Sequence, residues 1–180
     1  MCDGPAGILA HDYINMCGVV NDMAEKLVAA LVGRSLTIAT AESCTGGAVS
    51  QAITSVAGCS AVMRGAVVAY HNDVKSAVLG VSPATLETMG AVSEEVVRQM
   101  VCGVSRLMKT DCAISTSGIA GPGGGTPEKP VGTVWVAVKA GDVVKTKKLQ
   151  LHDEGRLQNV ANSTHEALQF MYETLLGVKW

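Results

Sequence analysis

The organisation of this chain follows from the segment Ala39-Thr40-Ala41-Glu42-Ser43-Cys44-Thr45-Gly46-Gly47. An apolar run from Leu36 to Ala39 predicts a buried strand, and an amphipathic pattern from about Ala48 to Val56 predicts a helix. Glycines let a ligand approach the backbone, and the free N–H groups of a helix N-terminus can bind a phosphate or an oxyanion. The segment is therefore either a catalytic or anion-binding site, or a plain turn in which Ser43 or Thr45 caps the helix.

The size and composition of the chain indicate one globular domain. The 180 residues are 48% hydrophobic and 17% charged, which is typical of a folded domain with its own core. The formal net charge is −2, and the aromatic residues are two Trp, three Tyr and one Phe. Nucleic-acid binding needs a basic surface and stacking aromatic residues, so the composition argues against a nucleic-acid partner.

The cysteines favour a reducing compartment. No two of the six are spaced as C-x-x-C, and the four histidines form no ligand pair beside them, so a zinc site is not expected. A chain of this length needs no disulfides, and scattered cysteines suit the cytoplasm. No apolar run approaches the roughly 18–20 residues of a membrane span. We also see no secretory signal, so we expect a cytoplasmic protein without a membrane partner.

The order of predicted elements indicates an α/β fold. Helices alternate with the first three strands and a hairpin follows, a pattern typical of a parallel sheet with an antiparallel edge pair. We expect a three-layer α/β/α sandwich with a mixed sheet of about five to six strands, in one domain spanning 18–180. Residues 1–17 are expected to form an irregular N-terminal arm, with a short helix from Asp12 as the alternative. The expected strands are 36–39, 63–70, 112–116, 131–139 and 143–151, and the main helices are 21–33, 48–56, 71–79, 83–89, 93–108 and 155–176.

Three polar turns follow the first three predicted strands, at Ser43, Tyr70 and Ser117. Ligands of open α/β sheets bind beyond the carboxyl ends of the strands, so we expect these turns to converge. The loop 117–130 is dense in glycine and proline, and such loops inside a compact domain are usually functional. The helix patterns also place Leu107 and Leu157 in the core.

The second turn, Tyr70-His71-Asn72-Asp73-Val74-Lys75, carries five different polar groups. If a helix begins here, Asn72 and Lys75 share one face. Burial would disfavour the ammonium form of Lys75 and make it a base. The alternative is that Asn72 caps the helix and Lys75 is solvated. The chain contains no S-x-x-K, G-x-S-x-G, Walker A or G-x-G-x-x-G motif, so ATP or dinucleotide binding in the usual modes has no support.

Several ordered motifs together resemble the CinA C-terminal domain family, over about residues 20–176. They are Ala41-Glu42-Ser43-Cys44-Thr45-Gly46-Gly47, Tyr70-His71-Asn72-Asp73-Val74-Lys75, Leu79-Gly80-Val81, Gly90-Ala91-Val92-Ser93-Glu94-Glu95-Val96, Ser117-Gly118-Ile119-Ala120-Gly121-Pro122 and Glu128-Lys129-Pro130-Val131-Gly132-Thr133-Val134.

This resemblance implies hydrolysis of the carboxamide of nicotinamide mononucleotide to nicotinate mononucleotide and ammonia, without a metal or other cofactor. It implies Ser43 as nucleophile, Lys75 as general base and Tyr70 as an aid to proton transfer. It also implies a pyridine nucleotide as small-molecule partner and a homodimer or higher homo-oligomer. The residues expected to line the substrate site are Thr45, Gly46, Gly47, Asn72, Ser117, Gly118 and Arg156.

Two departures from the family pattern concern Arg156, the expected phosphate ligand. Relatives usually read Gly-Asp-Arg where this chain reads Asp153-Glu154-Gly155-Arg156, and they often carry a second arginine where this chain has Val160. A catalytically silent nucleotide-binding or interaction module is therefore the alternative to an amidase. Cys44 is the rival nucleophile. Adjacent residues of an extended strand face opposite ways, so we expect Cys44 to point into the core.

Overall fold

The computed structural model describes the backbone of residues 10–179 and the side chains of residues 18–179. Six main helices and five strands follow one another in the predicted alternation. They are α1 (Ala10–Val32), β1 (Ile38–Glu42), α2 (Ala48–Thr54), β2 (Met63–Val68), α3 (Asn72–Leu79), α4 (Pro83–Met89), α5 (Glu94–Met108), β3 (Cys112–Gly118), β4 (Thr133–Ala140), β5 (Val143–Gln150) and α6 (Arg156–Gly177).

The strands form one mixed sheet in the order β2-β1-β3-β4-β5. Strand β1 runs parallel to both β2 and β3, whereas β4 and β5 pair antiparallel at one edge. Glu42 at the end of β1 lies opposite Val68 of β2 and Thr116 of β3. The carboxyl ends of the three parallel strands therefore meet at one edge of the sheet, as the topology predicts.

Two hydrophobic clusters cover the two faces of the sheet. Helices α1, α2 and α6 contribute to one cluster, which includes Leu27, Ile38 and Leu168. Helices α3 and α5 contribute to the other, which includes Leu79 and Val97. Because successive residues of a strand point to opposite faces, Ile38 belongs to the first cluster and the next residue of β1 to the second. The predicted three-layer α/β/α fold is confirmed.

Two expected element bounds need correction. Helix α1 begins at Ala10, so residues 10–17 are helical rather than irregular, and the helix alternative applies there. The rest of the predicted arm, residues 1–9, lies outside the described residues. Strand β1 does not end at Ala39 but continues to Glu42, because its ladder with β2 and β3 extends that far.

Two leucines predicted to lie in the core are exposed. Leu157 is 62% exposed although it shares a helical face with the buried Leu168 and Leu175, because it stands in the first turn of α6, before the first buried residue of that helix. Leu107 is exposed because the buried stripe of α5 ends at Ser105. Among the described residues, no helix is both long enough and apolar enough to span a bilayer.

Candidate active site

The parallel ladder continues one residue beyond β1 and places the polar turns side by side. The Ser43 N–H donates to the Thr116 carbonyl at 3.0 Å, and the Ala69 N–H donates to the Glu42 carbonyl at 2.7 Å. Ser43 therefore lies beside the end of β3 and beside the residue that precedes Tyr70. The expected convergence of the turns is present.

A cavity of about 220 Å³ opens at this point. Seven of the ten residues predicted for the site line it, and Thr45, Gly46 and Gly47 do not. Four further lining residues were not assigned to the site from the sequence. The full lining is Ser43, Cys44, Tyr70, Asn72, Lys75, Ala91, Val92, Ser117, Gly118, Ala120 and Arg156.

Lys75 Nζ lies 3.0 Å from Ser43 Oγ. The same nitrogen donates to the carbonyl oxygens of Ala69, at 2.8 Å, and Tyr70, at 3.4 Å. Lys75 is only 1% exposed, and burial lowers the pKa of its amine below the ordinary 10.5. A neutral amine has two N–H donors and one lone pair. The two carbonyls can take the donors, which leaves the lone pair directed at the Ser43 hydroxyl.

Helix α3 places Lys75 in this position. Its N-cap is His71, whose Nδ1 accepts a long hydrogen bond from the Asp73 N–H at 3.4 Å. Asn72 is thus the first helical residue rather than the cap, and it borders the cavity one turn before Lys75. The alternative of a capping Asn72 and a solvated Lys75 is wrong.

Cys44 packs in the hydrophobic cluster of α1, α2 and α6, although it also borders the cavity. Burial raises the pKa of its thiol to about 12. A thiol with this pKa carries almost no thiolate at neutral pH. The expected inward orientation of Cys44 agrees with this burial, whereas the Ser43 hydroxyl lies beside the amine of Lys75.

The anion at the N-terminus of α2 is the protein's own Glu42. Its buried carboxylate accepts hydrogen bonds from the N–H groups of Gly47, Val49 and Ser50 at 2.8–3.0 Å. It also accepts from the hydroxyl of Thr45, at 2.8 Å, and from that of a second threonine, Thr40, at 3.1 Å. The free N–H groups that the sequence offered to a ligand are therefore occupied from inside the protein.

This arrangement corrects the roles predicted for three residues. The Gly47 N–H and the Thr45 hydroxyl bind Glu42, and the Gly46 N–H donates to the Ser43 carbonyl at 3.1 Å. None of these donors is free for substrate. The N–H groups of Cys44 and Thr45 donate to no backbone carbonyl of residues 10–179. In the sequence, Glu42 stands just before a glycine-rich helix start, and this position could have indicated that its carboxylate accepts the free N–H groups of the helix. The same pattern, however, fits an external anion equally well.

Ser117 and Gly118 close the side of the cavity formed by β3. The Ser117 hydroxyl donates to the Ala91 carbonyl at 2.8 Å. A Cβ on Gly118 would lie 2.6 Å from Val134 Cγ2 and 2.7 Å from the Thr133 carbonyl, so only glycine fits there. The importance of Ala91 was not predicted, because its contribution is a backbone carbonyl that no residue type reveals.

Arg156 and Tyr70 also line the cavity and contact each other. Arg156 Nη1 donates to the Gly121 carbonyl at 3.0 Å, and Nη2 donates to the Tyr70 hydroxyl at 2.8 Å. The Tyr70 oxygen thus accepts from Arg156 and keeps its own proton for donation. Asn159 Nδ2 donates to the Ala120 carbonyl at 3.1 Å and holds the loop beside Arg156.

Within the part of the chain whose side chains are described, no three His, Cys, Asp or Glu residues are grouped as metal ligands. The cavity instead combines a hydroxyl, an amine, a phenol and a guanidinium. This set can activate a nucleophile, transfer protons and bind an anion.

Comparison with known proteins gives one family. The family model for the CinA C-terminal domain matches residues 20–175. A CinA-like protein from Kosmotoga olearia is 44% identical over 161 residues, which cover 88% of this chain and 39% of the relative. A CinA-like protein from Chlorobium phaeovibrioides is 40% identical over 178 residues, covering 96% and 41%. The chain thus spans about two-fifths of the length of these relatives.

Solved structures of similar proteins match this chain over nearly their whole length. The competence/damage inducible protein CihA from Agrobacterium tumefaciens has a TM-score of 0.85 and 38% identity, covering 87% of this chain and 95% of that one. The competence damage-inducible protein A from Klebsiella pneumoniae has a TM-score of 0.86 and 34% identity, covering 89% and 99%.

Proposed function

The chain belongs to the CinA C-terminal domain family, and on that premise we propose that it is a nicotinamide-nucleotide amidase. It hydrolyses the carboxamide of nicotinamide mononucleotide to nicotinate mononucleotide and ammonia. The observation that carries the proposal is the 3.0 Å distance between Lys75 Nζ and Ser43 Oγ in a cavity beyond the parallel strands. A silent binding module would have no need of a buried amine beside a buried hydroxyl.

The reaction begins with attack of Ser43 Oγ on the carboxamide carbon while neutral Lys75 takes the hydroxyl proton. The tetrahedral intermediate then collapses, the C–N bond breaks, and protonated Lys75 returns the proton to the departing ammonia. Water next attacks the ester formed on Ser43, and Lys75 takes a proton from this water. The C–O bond to Ser43 Oγ then breaks, protonated Lys75 returns its proton to this oxygen, and the products are the nicotinate nucleotide and regenerated Ser43. The Tyr70 hydroxyl, which keeps its own proton, can assist the proton transfers.

The proposed donor for the oxyanion is the N–H group of Cys44, a residue that lines the cavity. This group donates to no backbone carbonyl of residues 10–179, and it directly follows the nucleophile in the chain. The N–H groups of the first turn of α2 are not available, because Glu42 accepts them. In known enzymes a donor of this kind contributes about 3–4 kcal/mol to transition-state binding.

Arg156 is the proposed ligand of the substrate phosphate. It borders the cavity, and a guanidinium can bind phosphate oxygens through two N–H groups. In this structure Arg156 donates instead to Gly121 and Tyr70. Binding of a phosphate would therefore replace at least one of these two hydrogen bonds with a bond to a phosphate oxygen. The expected association of the protein into a homodimer or higher oligomer also remains a proposal.

The test is product formation from nicotinamide mononucleotide. We expect ammonia and nicotinate mononucleotide to form in equal amounts with wild-type protein, and not with Ser43→Ala. Ser60→Ala, which removes an exposed serine hydroxyl, is the matched control and keeps wild-type rates. A well-folded wild type that releases no ammonia between about pH 6 and pH 10 would identify the chain as a silent module instead.

A further inference from the structure

Ser117 and Ser43 occupy neighbouring positions on the two parallel strands at the cavity. Glu42 pairs with Thr116, and the Ser43 N–H donates to the Thr116 carbonyl, so the next position of β3 is Ser117. Adjacent parallel strands are about 4.8 Å apart. Both side chains line the cavity. A ligand whose reacting carbon contacts Ser43 therefore lies within reach of Ser117.

The hydroxyl of Ser117 can only accept a hydrogen bond from that ligand. Its one proton goes to the Ala91 carbonyl at 2.8 Å, and the residue is only 1% exposed. A serine hydroxyl has one donor and two acceptor lone pairs, so the lone pairs remain for the cavity. Rotation of the hydroxyl toward a ligand would remove the donor from the Ala91 carbonyl, which is unfavourable in a buried site.

We propose that Ser117 makes this site specific for a carboxamide over the corresponding carboxylate. A carboxamide offers an NH₂ group that can donate to Ser117, whereas a carboxylate offers only acceptors, which the lone pairs of Ser117 oppose. The inference rests on the proposed function and identifies the carboxamide NH₂ group as the part of the substrate that the site recognises.

The same constraint orients the reacting group. An NH₂ group directed at Ser117 leaves the carbonyl oxygen free to accept from the Cys44 N–H, the proposed oxyanion donor. Ammonia then departs toward Ser117. The acid product replaces the NH₂ donor with an acceptor, so Ser117 opposes retention of the product and favours its release.

The experiment measures binding without turnover, by calorimetry on the Ser43→Ala protein. We expect it to bind nicotinamide mononucleotide at least about tenfold more tightly than nicotinate mononucleotide. Adding Ser117→Ala lowers this preference by about tenfold, whereas adding Ser117→Thr preserves it, because threonine keeps the hydroxyl. The readout is a ratio of two affinities in one protein, so a general loss of stability does not change it.

Ser115→Ala is the matched control. Ser115 lies on the same face of β3, is equally buried, and donates its hydroxyl to a backbone carbonyl, that of Val97, at 2.7 Å, but it does not line the cavity. The preference must survive in Ser115→Ala. If Ser117→Ala leaves the preference unchanged, or Ser115→Ala reduces it equally, the inference is overturned while the proposed function stands. If neither nucleotide binds to Ser43→Ala, the proposed function fails together with the inference.

Discussion

Lys75 Nζ lies 3.0 Å from Ser43 Oγ, although 32 residues separate them in the sequence. Ser43 is delivered by the end of β1, and Lys75 by the first turn of the helix that follows the neighbouring strand β2. The pairing therefore depends on the parallel alignment of two strands rather than on any local motif. Its chemistry depends on burial, which favours the neutral amine.

The burial of Lys75 makes stability depend on pH. Its pKa in the fold lies below 10.5, so between that lowered value and 10.5 the unfolded chain binds one more proton than the folded chain. The free energy of unfolding therefore rises with pH across this window. We predict that wild type gains stability relative to Lys75→Met as the pH rises through this window, in urea unfolding at a series of pH values. The same comparison with Lys26→Met, at an exposed lysine, shows no such rise; a flat difference for Lys75→Met would contradict the prediction.

Cys44 should be dispensable for hydrolysis. Its buried thiol has a pKa of about 12, so it is protonated at neutral pH and does not compete with Ser43 as nucleophile. We predict that Cys44→Ala releases ammonia from nicotinamide mononucleotide within about threefold of the wild-type rate. The folded protein should also leave Cys44 unmodified by a thiol reagent, as read by peptide mass. Loss of activity in Cys44→Ala together with an active Ser43→Ala would reverse the assignment.

Replacement of Glu42 by glutamine should destabilise the fold. Each carboxylate oxygen of Glu42 accepts at least two hydrogen bonds, so an amide NH₂ placed at either position would face N–H or O–H donors. We predict a loss of about 2–4 kcal/mol in the free energy of unfolding. Glu87→Gln, at an exposed carboxylate, is the control. A loss below about 0.5 kcal/mol for Glu42→Gln would show that the carboxylate does not hold the helix start.

Arg156→Ala should distinguish substrates by their phosphate. We predict that KM for nicotinamide mononucleotide rises about 10- to 100-fold, because the proposed charge-assisted contact with the phosphate would be lost. Nicotinamide riboside, which lacks the phosphate, should be hydrolysed at a similar kcat/KM by both proteins. Arg64→Ala, at an exposed arginine of β2, controls for the loss of a positive charge. Equal losses on both substrates would assign Arg156 to the positioning of Tyr70 rather than to phosphate binding.

The fold was largely predictable because the hydrophobic periodicity of each element and the order of the elements are both visible in the sequence. The alternation of helices with three strands and the final hairpin predicts the layers, and the rule for parallel strand ends predicts that Ser43, Tyr70 and Ser117 converge. Leu157 was misplaced because an apolar residue in the first helical turn satisfies the pattern of a core stripe without being covered by a neighbouring element.

The partners of backbone groups were not predictable. The sequence shows free N–H groups at the start of α2, but it does not show whether a ligand or Glu42 accepts them. The Ala91 carbonyl, which orients the Ser117 hydroxyl, has no sequence signature either. The hydrogen-bond partners of the α2 N–H groups and of the Ala91 carbonyl depend on how distant segments pack at the carboxyl end of the sheet. This packing is a property of the tertiary structure alone.

The most direct test of the account is the pH dependence of kcat/KM for ammonia release from nicotinamide mononucleotide, by wild type and by Lys75→Arg. In the proposed mechanism Lys75 is a neutral base, so we predict that the wild-type value rises about tenfold per pH unit and levels off at the lowered pKa of Lys75, below 10.5. Lys75→Arg should show no turnover at any pH, since its guanidinium stays charged. A wild-type profile independent of pH, or a Lys75→Arg protein with wild-type rates, would contradict the central claim.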